Sequence, residues 1–554
     1  MKPSHPSAFC FFTLAGALVF ATAALAQETD VTQTPNAANA GIKKSYTEQI
    51  GQGRGDVLTP DSSAFIIARD PARAIVRGRQ IFQRKFTGDQ GIGPRTNDGV
   101  GDIMTDGSHG AGLSDSCASC HGRPQGAAGF GGDVFTRPTS RDAPHLFGLG
   151  LVEMLGDEIT GDLRAQRDQA ALDAVNSGSP VVAFLTSKGV KYGSLTAFSD
   201  GSVDSTLVEG VDADLRVRPF FAQGGTISIR EFVVGAFNAE MGLESGDPDL
   251  NAAAGGGAIT TPSGMVLDGA LDSIERPVAT DAFDDPDLDG IVDEIPESIV
   301  DFTEFYLLNY FRPAVRVQAD DDDESFSGGG SLGQSQGSLG GREVNDESKG
   351  RRIFDKIGCA VCHVADLQID IDRRVADTST FLDRENGNSF NNLYTTATVQ
   401  FTEVDDGSGF PTLKQASGLP FLVEDIFADF KRHDIGPGFW ERNFDNSVQK
   451  EFVTEPLWGV GSTAPYGHDG RSPSLADVIL RHGGEAQAAR DKFDGLNESK
   501  QDELIGFLQT LVLFGPPSTA SNLDPVDKAQ LDYPLNGHGS IDLGALFNDP
   551  LDKE

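Results

Sequence analysis

Basic residues are scarce in this chain of 554: 44 Lys and Arg stand against 83 Asp and Glu, a formal balance of −39. Nucleic acid and anionic membrane both require a basic footprint, so neither is expected as a partner. The balance suits a well-solvated exported protein, or one that meets a basic partner. Long apolar runs are also missing once the first 26 residues are set aside. No later stretch approaches the roughly 20 apolar residues that span a bilayer, so no membrane span is expected. Lys2, an apolar run from about Ala8 and "ALA" at 24–26 read as a secretory signal peptide cut before Gln27. An uncleaved anchor is the weaker alternative, because the run is short and ends in a cleavage signal. The mature chain is expected in the periplasm.

Cysteine is the most informative shortage. There are five; Cys10 leaves with the signal peptide, and the other four lie in "CASCH" (117–121) and "CAVCH" (359–363). With none to spare, a disulfide scaffold is excluded. C-x-x-C-H is the attachment signature of c-type haem. Two thiols one helical turn apart can each form a thioether with a vinyl group, and the next imidazole falls under the iron. Zinc would need four ligands gathered together, and nothing pairs with either motif locally. A redox dithiol has no use for the histidine that follows. The expectation is two covalent haems, on Cys117, Cys120 and His121 and on Cys359, Cys362 and His363. His109, His145, His433, His468, His482 and His538 remain as candidates for the distal positions. An electron-relay haem wants a sixth ligand, whereas a catalytic haem wants an open position.

Strand signals are poor, although "GVKYGSLTAF" (189–198) has the pattern of a hairpin. Helical periodicity is plainer in "DPARAIVRGRQIFQRKF" (70–86), "HLFGLGLVEML" (145–155), "TISIREFVVGAFNAEMG" (226–242) and "SKQDELIGFLQTLVLF" (499–514), the last with Ser499 as N-cap. Gly-Arg-x-Ile-Phe stands before the first motif at 78–82 and before the second at 350–354, a weak internal repeat suggesting two related helical modules. The expected fold class is mainly α: two cytochrome c-like helical haem domains with irregular loops and few short strands. The expected divisions are a signal peptide (1–26), a polar arm (27–69), an N-terminal catalytic haem domain with insertions (70–317), an acidic Gly/Ser-rich linker (318–343), a C-terminal electron-transfer haem domain (344–516) and a polar tail (517–554).

Three further stretches carry a resemblance. "TEPLWGVGSTAPYGHDGRSPSLADVILRHGGEA" (454–486), "RPFFAQGGTISIREFVVGAFNAEMGLE" (218–244) and "DIFADFKRHDIGPGF" (425–439) resemble the superfamily of bacterial di-haem cytochrome c peroxidases and MauG-type enzymes, closest to its di-haem oxidoreductase branch. The resemblance implies that Glu240 is the active-site glutamate beside the N-terminal haem. It also implies that His482 stands where the peroxidases carry a distal Met, giving His363 and His482 to one iron. The implied activity is reduction of hydrogen peroxide, with electrons from a small c-type cytochrome or cupredoxin. A di-haem oxygenase or MauG-like oxidation of an organic or protein substrate is the alternative enzyme reading, and a non-catalytic electron carrier the alternative without chemistry. One departure stands out: the peroxidases carry a Trp soon after the first motif, whereas the two here are Trp440 and Trp458.

A separate signal is "DDPDLDGIVDE" (284–294). Asp285, Asp287, Asp289 and Gly290 match the start of an EF-hand loop with Asp293 at the ninth position, but Pro296 occupies the twelfth. Calcium on Asp285, Asp287, Asp289 and Asp293 is one expectation; a solvated acidic turn is the other.

Overall fold

The computed structural model describes residues 44–92, 115–121, 142–310, 314–315, 344–377, 398–399, 401–443, 446–461 and 463–512. The signal peptide, the acidic linker and the tail lie outside them, as do His109 and His538.

Helices α1 (Tyr46–Ile50), α2 (Ser63–Arg69) and α3 (Pro71–Gln83) open the described chain. Each is started by a side chain that accepts a backbone N–H, from Ser45, Ser62 and Asp70 in turn. The first C-x-x-C-H forms α4 (Cys117–His121), and α5 (Leu149–Ser177) begins after Gly148. Then follow α6 (Ile229–Met241), α7 (Pro248–Ala254) and α8 (Glu297–Leu308). In the C-terminal part lie α9 (Val344–Ile357), α10 (Leu475–Arg481), α11 (Gln487–Asp494) and α12 (Glu498–Gln509). Asn497, not Ser499, caps α12, its side chain accepting the Lys500 N–H.

The expectation of a mainly α fold is overturned: helix accounts for 37 % and strand for 16 %, in small sheets. The largest is a meander of β1 (Val181–Ser187), β2 (Val190–Ala197) and β3 (Val203–Val208), antiparallel throughout. Lys188 and Gly189 turn the first hairpin with φ of 48° and 86°, the double positive φ that matches strand twist. Most other strands are pairs of two to four residues, such as 432–434 with 451–453 and 421–423 with 367–369. Segments that short cannot show period-two alternation, which is why they escaped a reading by pattern.

The Gly-Arg-x-Ile-Phe repeat has a structural counterpart. A Cβ at Gly78 on α3 would fall 2.1 Å from the Phe302 carbonyl oxygen of α8; one at Gly350 on α9 would fall 2.1 Å from the Glu503 carbonyl oxygen of α12. In both places the missing side chain lets a later helix cross in backbone contact. Phe82 then packs against Tyr306 and Tyr310, and Phe354 against Phe427 and Phe507.

Two apolar cores result. The smaller gathers Phe354, Ile357, Phe427, Leu475, Phe493, Leu504 and Phe507. The larger draws on both halves, since Leu367, Ile369, Phe421, Ile426 and Trp458 join the helices of the first half. Ion pairs cross as well, from Arg373 to Glu153 at 2.7 Å and from Arg69 to Asp406 at 2.6 Å. Among the described residues no helix is long and apolar enough to cross a membrane.

Candidate haem centres

Both C-x-x-C-H histidines are oriented by the same device. His121, at the end of α4, has Nδ1 2.7 Å from the Pro144 carbonyl oxygen. His363 has Nδ1 2.9 Å from that of Phe427. A carbonyl can only accept, so each ring donates from Nδ1 and leaves an unprotonated Nε2, the arrangement by which proteins aim a histidine at a metal. Burial favours the neutral form. It lowers the His121 pKa and brings His363 down to about 4, against the opposing carbonyl bonds.

His482 repeats the pattern. It follows α10 directly, and its Nδ1 lies 2.7 Å from the Val478 carbonyl oxygen one turn back. Burial lowers its pKa too, and its charge acts on His363, so the two rings lie within electrostatic reach. Phe439 meets the His482 ring edge-on at 5.3 Å, and Phe354 lies 6.1 Å from His363. Cys359 is pushed up to about 12 by burial; the Cys120 side chain lies outside the described residues.

The other described histidines are engaged through their rings. His145 places Nε2 2.7 Å from the Trp458 carbonyl oxygen, while its Nδ1 accepts the Phe147 N–H. Burial takes it down to about 4, in keeping with that neutral tautomer. His433 is held between Asp429 and Glu485 at 2.9 and 2.8 Å. It is raised to about 11 by Asp429 and Cys362 in spite of its burial. Cys362, Asp429 and His433 bring ligand atoms within 4.8 Å, yet both His433 nitrogens are already bonded to carboxylates, so no lone pair remains for a metal. His468 pairs with Glu441 at 3.0 Å and stacks on Phe452.

Glu240 lies half-buried in the last turn of α6. The same helix carries Phe232, whose ring is 6.4 Å from that of His121. Glu240 follows Phe232 by eight residues, about 12 Å along the axis at the usual helical rise. Ser228 caps the start of α6, and the buried Arg230 anchors its first turn to Asp247, Asp301 and Glu304.

Trp458 bears on the absence of a Trp soon after the first motif. It is buried, its ring packs on Gly148, and its Nε1–H points to the Glu424 carbonyl oxygen at 3.4 Å. Its backbone carbonyl accepts from His145, next to the Pro144 carbonyl that orients His121. On the other side, the N–H of the preceding Leu457 reaches the Ile426 carbonyl oxygen, next to the Phe427 carbonyl that orients His363. The backbone around Trp458 therefore lies between the two histidine supports, supplied from a part of the chain remote from the first motif.

The acidic loop is only partly as expected. Asp285, Asp287 and Asp289 come together, but Asp293 is not among them. Their companions are Glu244 and Glu294. Pattern reading missed Glu244 because it follows α6, more than forty residues before the loop in sequence.

The donor set fits haem: Cys117 and the Cys359/Cys362 pair precede imidazoles whose Nε2 atoms make no hydrogen bond to described residues. When bound there, haem supplies a redox-active iron. A search of curated proteins returns no match. Residues 389–511, which include His433, His468 and His482, match the model of the family described as di-haem oxidoreductase, putative peroxidase, a family whose name implies haem as cofactor.

Proposed function

We propose that this protein is an exported, periplasmic di-haem c-type oxidoreductase. It reduces hydrogen peroxide with two electrons drawn from a small c-type cytochrome or cupredoxin. The observation that carries the reading is the unequal supply of open imidazole nitrogens. His363 and His482 offer two, and both could serve one haem iron held there. Among the described residues His121 offers one, and its neighbour His145 is bonded through both nitrogens, so a haem held there would keep one side for a small oxidant.

Reduction of H2O2 to two waters consumes two electrons and two protons. Haem supplies the electron-carrying iron. The role of Glu240 is to hold a proton, taken from one peroxide oxygen and returned to the departing one. Its place at the end of a helix fixed by Ser228 and Arg230 suits a carboxylate that must keep its position through both transfers. Trp458, set between the two histidine supports, is the aromatic placed to shorten the electron route from the C-terminal centre.

Steady-state peroxide turnover with reduced cytochrome c tests this reading. Glu240→Gln is expected to lose activity by on the order of 10²–10⁴-fold, with two haems per chain retained by pyridine haemochrome assay. Undiminished turnover in that variant removes Glu240 from the reaction. Wild-type protein that turns over no peroxide and shows only low-spin ferric haem overturns the enzyme reading in favour of an electron carrier.

A further inference from the structure

The carboxylate oxygens of Glu244, Asp285 and Asp287 lie within 4.8 Å of one another, as do those of Asp287, Asp289 and Glu294. Asp287 belongs to both groups, so five acidic side chains form one cluster. Exposed acidic clusters are common and bind nothing; this one differs in its floor. Glu244 and Glu294 are 4 % and 3 % exposed. Both carboxylate oxygens of Glu244, and Oε1 of Glu294, are buried without a hydrogen-bond partner. Neither residue meets a Lys or Arg among the described residues.

Burying a carboxylate without a donor or a cation is strongly unfavourable. Protein alone therefore leaves two buried carboxyl groups with no cation beside them.

We infer that Glu244, Asp285, Asp287, Asp289 and Glu294 bind a calcium ion, a site independent of the haem centres. The chemistry selects the ion. All donors are carboxylate oxygens, with no thiolate or imidazole, which favours a hard cation over zinc or copper. Five carboxylates from two segments make a crowded cage of the kind calcium accepts, whereas magnesium keeps most of its water and rarely takes an all-protein cage. Gly290, with φ +91°, provides the sharp turn after the third aspartate. Glu244 and Glu294 supply the closing carboxylates that the spacing had assigned to Asp293 and the twelfth position.

The site would join three segments. Glu294 Oε2 accepts the Glu244 N–H at 2.6 Å, and the Ile295 N–H reaches the Glu244 carbonyl oxygen at 3.0 Å. The Glu294 carbonyl accepts from the Tyr46 hydroxyl of α1. Glu244 follows Glu240 by four residues, so the ion would also fix the exit from α6.

Calcium titration by calorimetry, on full-length protein stripped with EGTA, tests the site together with melting in CaCl2 and in EGTA. The expected results are one ion per chain and a higher melting temperature in calcium. Glu294→Gln is expected to weaken binding by more than tenfold, while Asp293→Asn leaves it unchanged. Absence of binding up to millimolar calcium, with melting indifferent to EGTA, overturns the site without recourse to any variant. Binding lost in Asp293→Asn but kept in Glu294→Gln overturns the ligand set, and equal binding of MgCl2 overturns the choice of ion. None of these readouts depends on peroxide turnover.

Discussion

Arg230 enters α6 with a side chain wholly shielded from solvent and carboxylates on three sides. Asp247 lies at 2.5 Å, Glu304 at 2.8 Å and Asp301 at 2.9 Å; all are essentially unexposed. Arg54 adds a second cation 3.0 Å from Asp301. Burial raises the pKa of Asp301 and of Glu304, and the Arg230 guanidinium is the largest opposing influence on each. Arg230→Leu fills similar volume but strands these acids. Removing one partner of a buried ion pair costs about 3–5 kcal/mol. For a folding unit of 150–250 residues, each kcal/mol moves the midpoint by roughly 2–4 °C. The expected drop at pH 7 is therefore about 6–20 °C, read by circular dichroism of the haem-loaded protein. Arg230→Lys should fall between, since one ammonium cannot span the acids that a planar guanidinium bridges. The pH dependence follows with a definite sign. In the Leu variant the folded-state pKa values of Asp301 and Glu304 rise further above their unfolded values. The folded variant then holds extra protons, so its deficit should shrink as pH falls from 7 toward 5. A Leu variant melting within about 2 °C of wild type at pH 7 would refute the reasoning, for it would imply a net cost below roughly 1 kcal/mol.

Three further outcomes are expected. His482→Ala should convert the C-terminal haem from a low-spin to a high-spin spectrum at unchanged haem content; an identical spectrum removes His482 as a ligand. Gly350→Val should destabilise by more than the roughly 1–3 kcal/mol of an ordinary overpacked site, because its Cβ would stand 2.1 Å from backbone rather than from a movable side chain; urea midpoints measure it. Asp142 is pushed up to about 7 by burial and by Asp469, so the folded state holds a proton that the unfolded chain has released. Wild-type stability should decline from about pH 4 to pH 7 on that account, and melting of Asp142→Asn across this window should lack that part of the decline.

The sequence made the helices and the two C-x-x-C-H motifs legible because both are local. A 3.6-residue period marks α3 and α6, and C-x-x-C-H needs only five consecutive positions. The glycine repeat was visible as text, but that Gly78 and Gly350 each admit a crossing helix depends on partners more than 150 residues downstream. The sheets were hidden for the opposite reason, being too short to build a period. Only the meander held enough alternation, with its buried Leu185 and Tyr192, and "GVKYGSLTAF" hinted at it. The haem-ligand reading of His482 came through family resemblance, since nothing in "LRHGG" alone sets it apart from His433 in "KRHDI". What separates them is their company: a backbone carbonyl for one ring, two carboxylates for the other. The loop aspartates were readable in order, whereas the two buried glutamates beneath them are brought there only by folding.

The seat of Trp458 has a consequence for how the molecule can be taken apart. A Cβ at Gly148, whose φ is +74°, would come within 2.4 Å of the indole. The ring therefore occupies a notch cut for it by the opposite half of the chain. Divided between the halves, neither fragment could keep both: one would expose a large aromatic surface, the other an empty groove beside His145. On the proposed function, electron passage between the two centres would thus need the joined polypeptide, and a split version should load haem more readily than it recovers that passage.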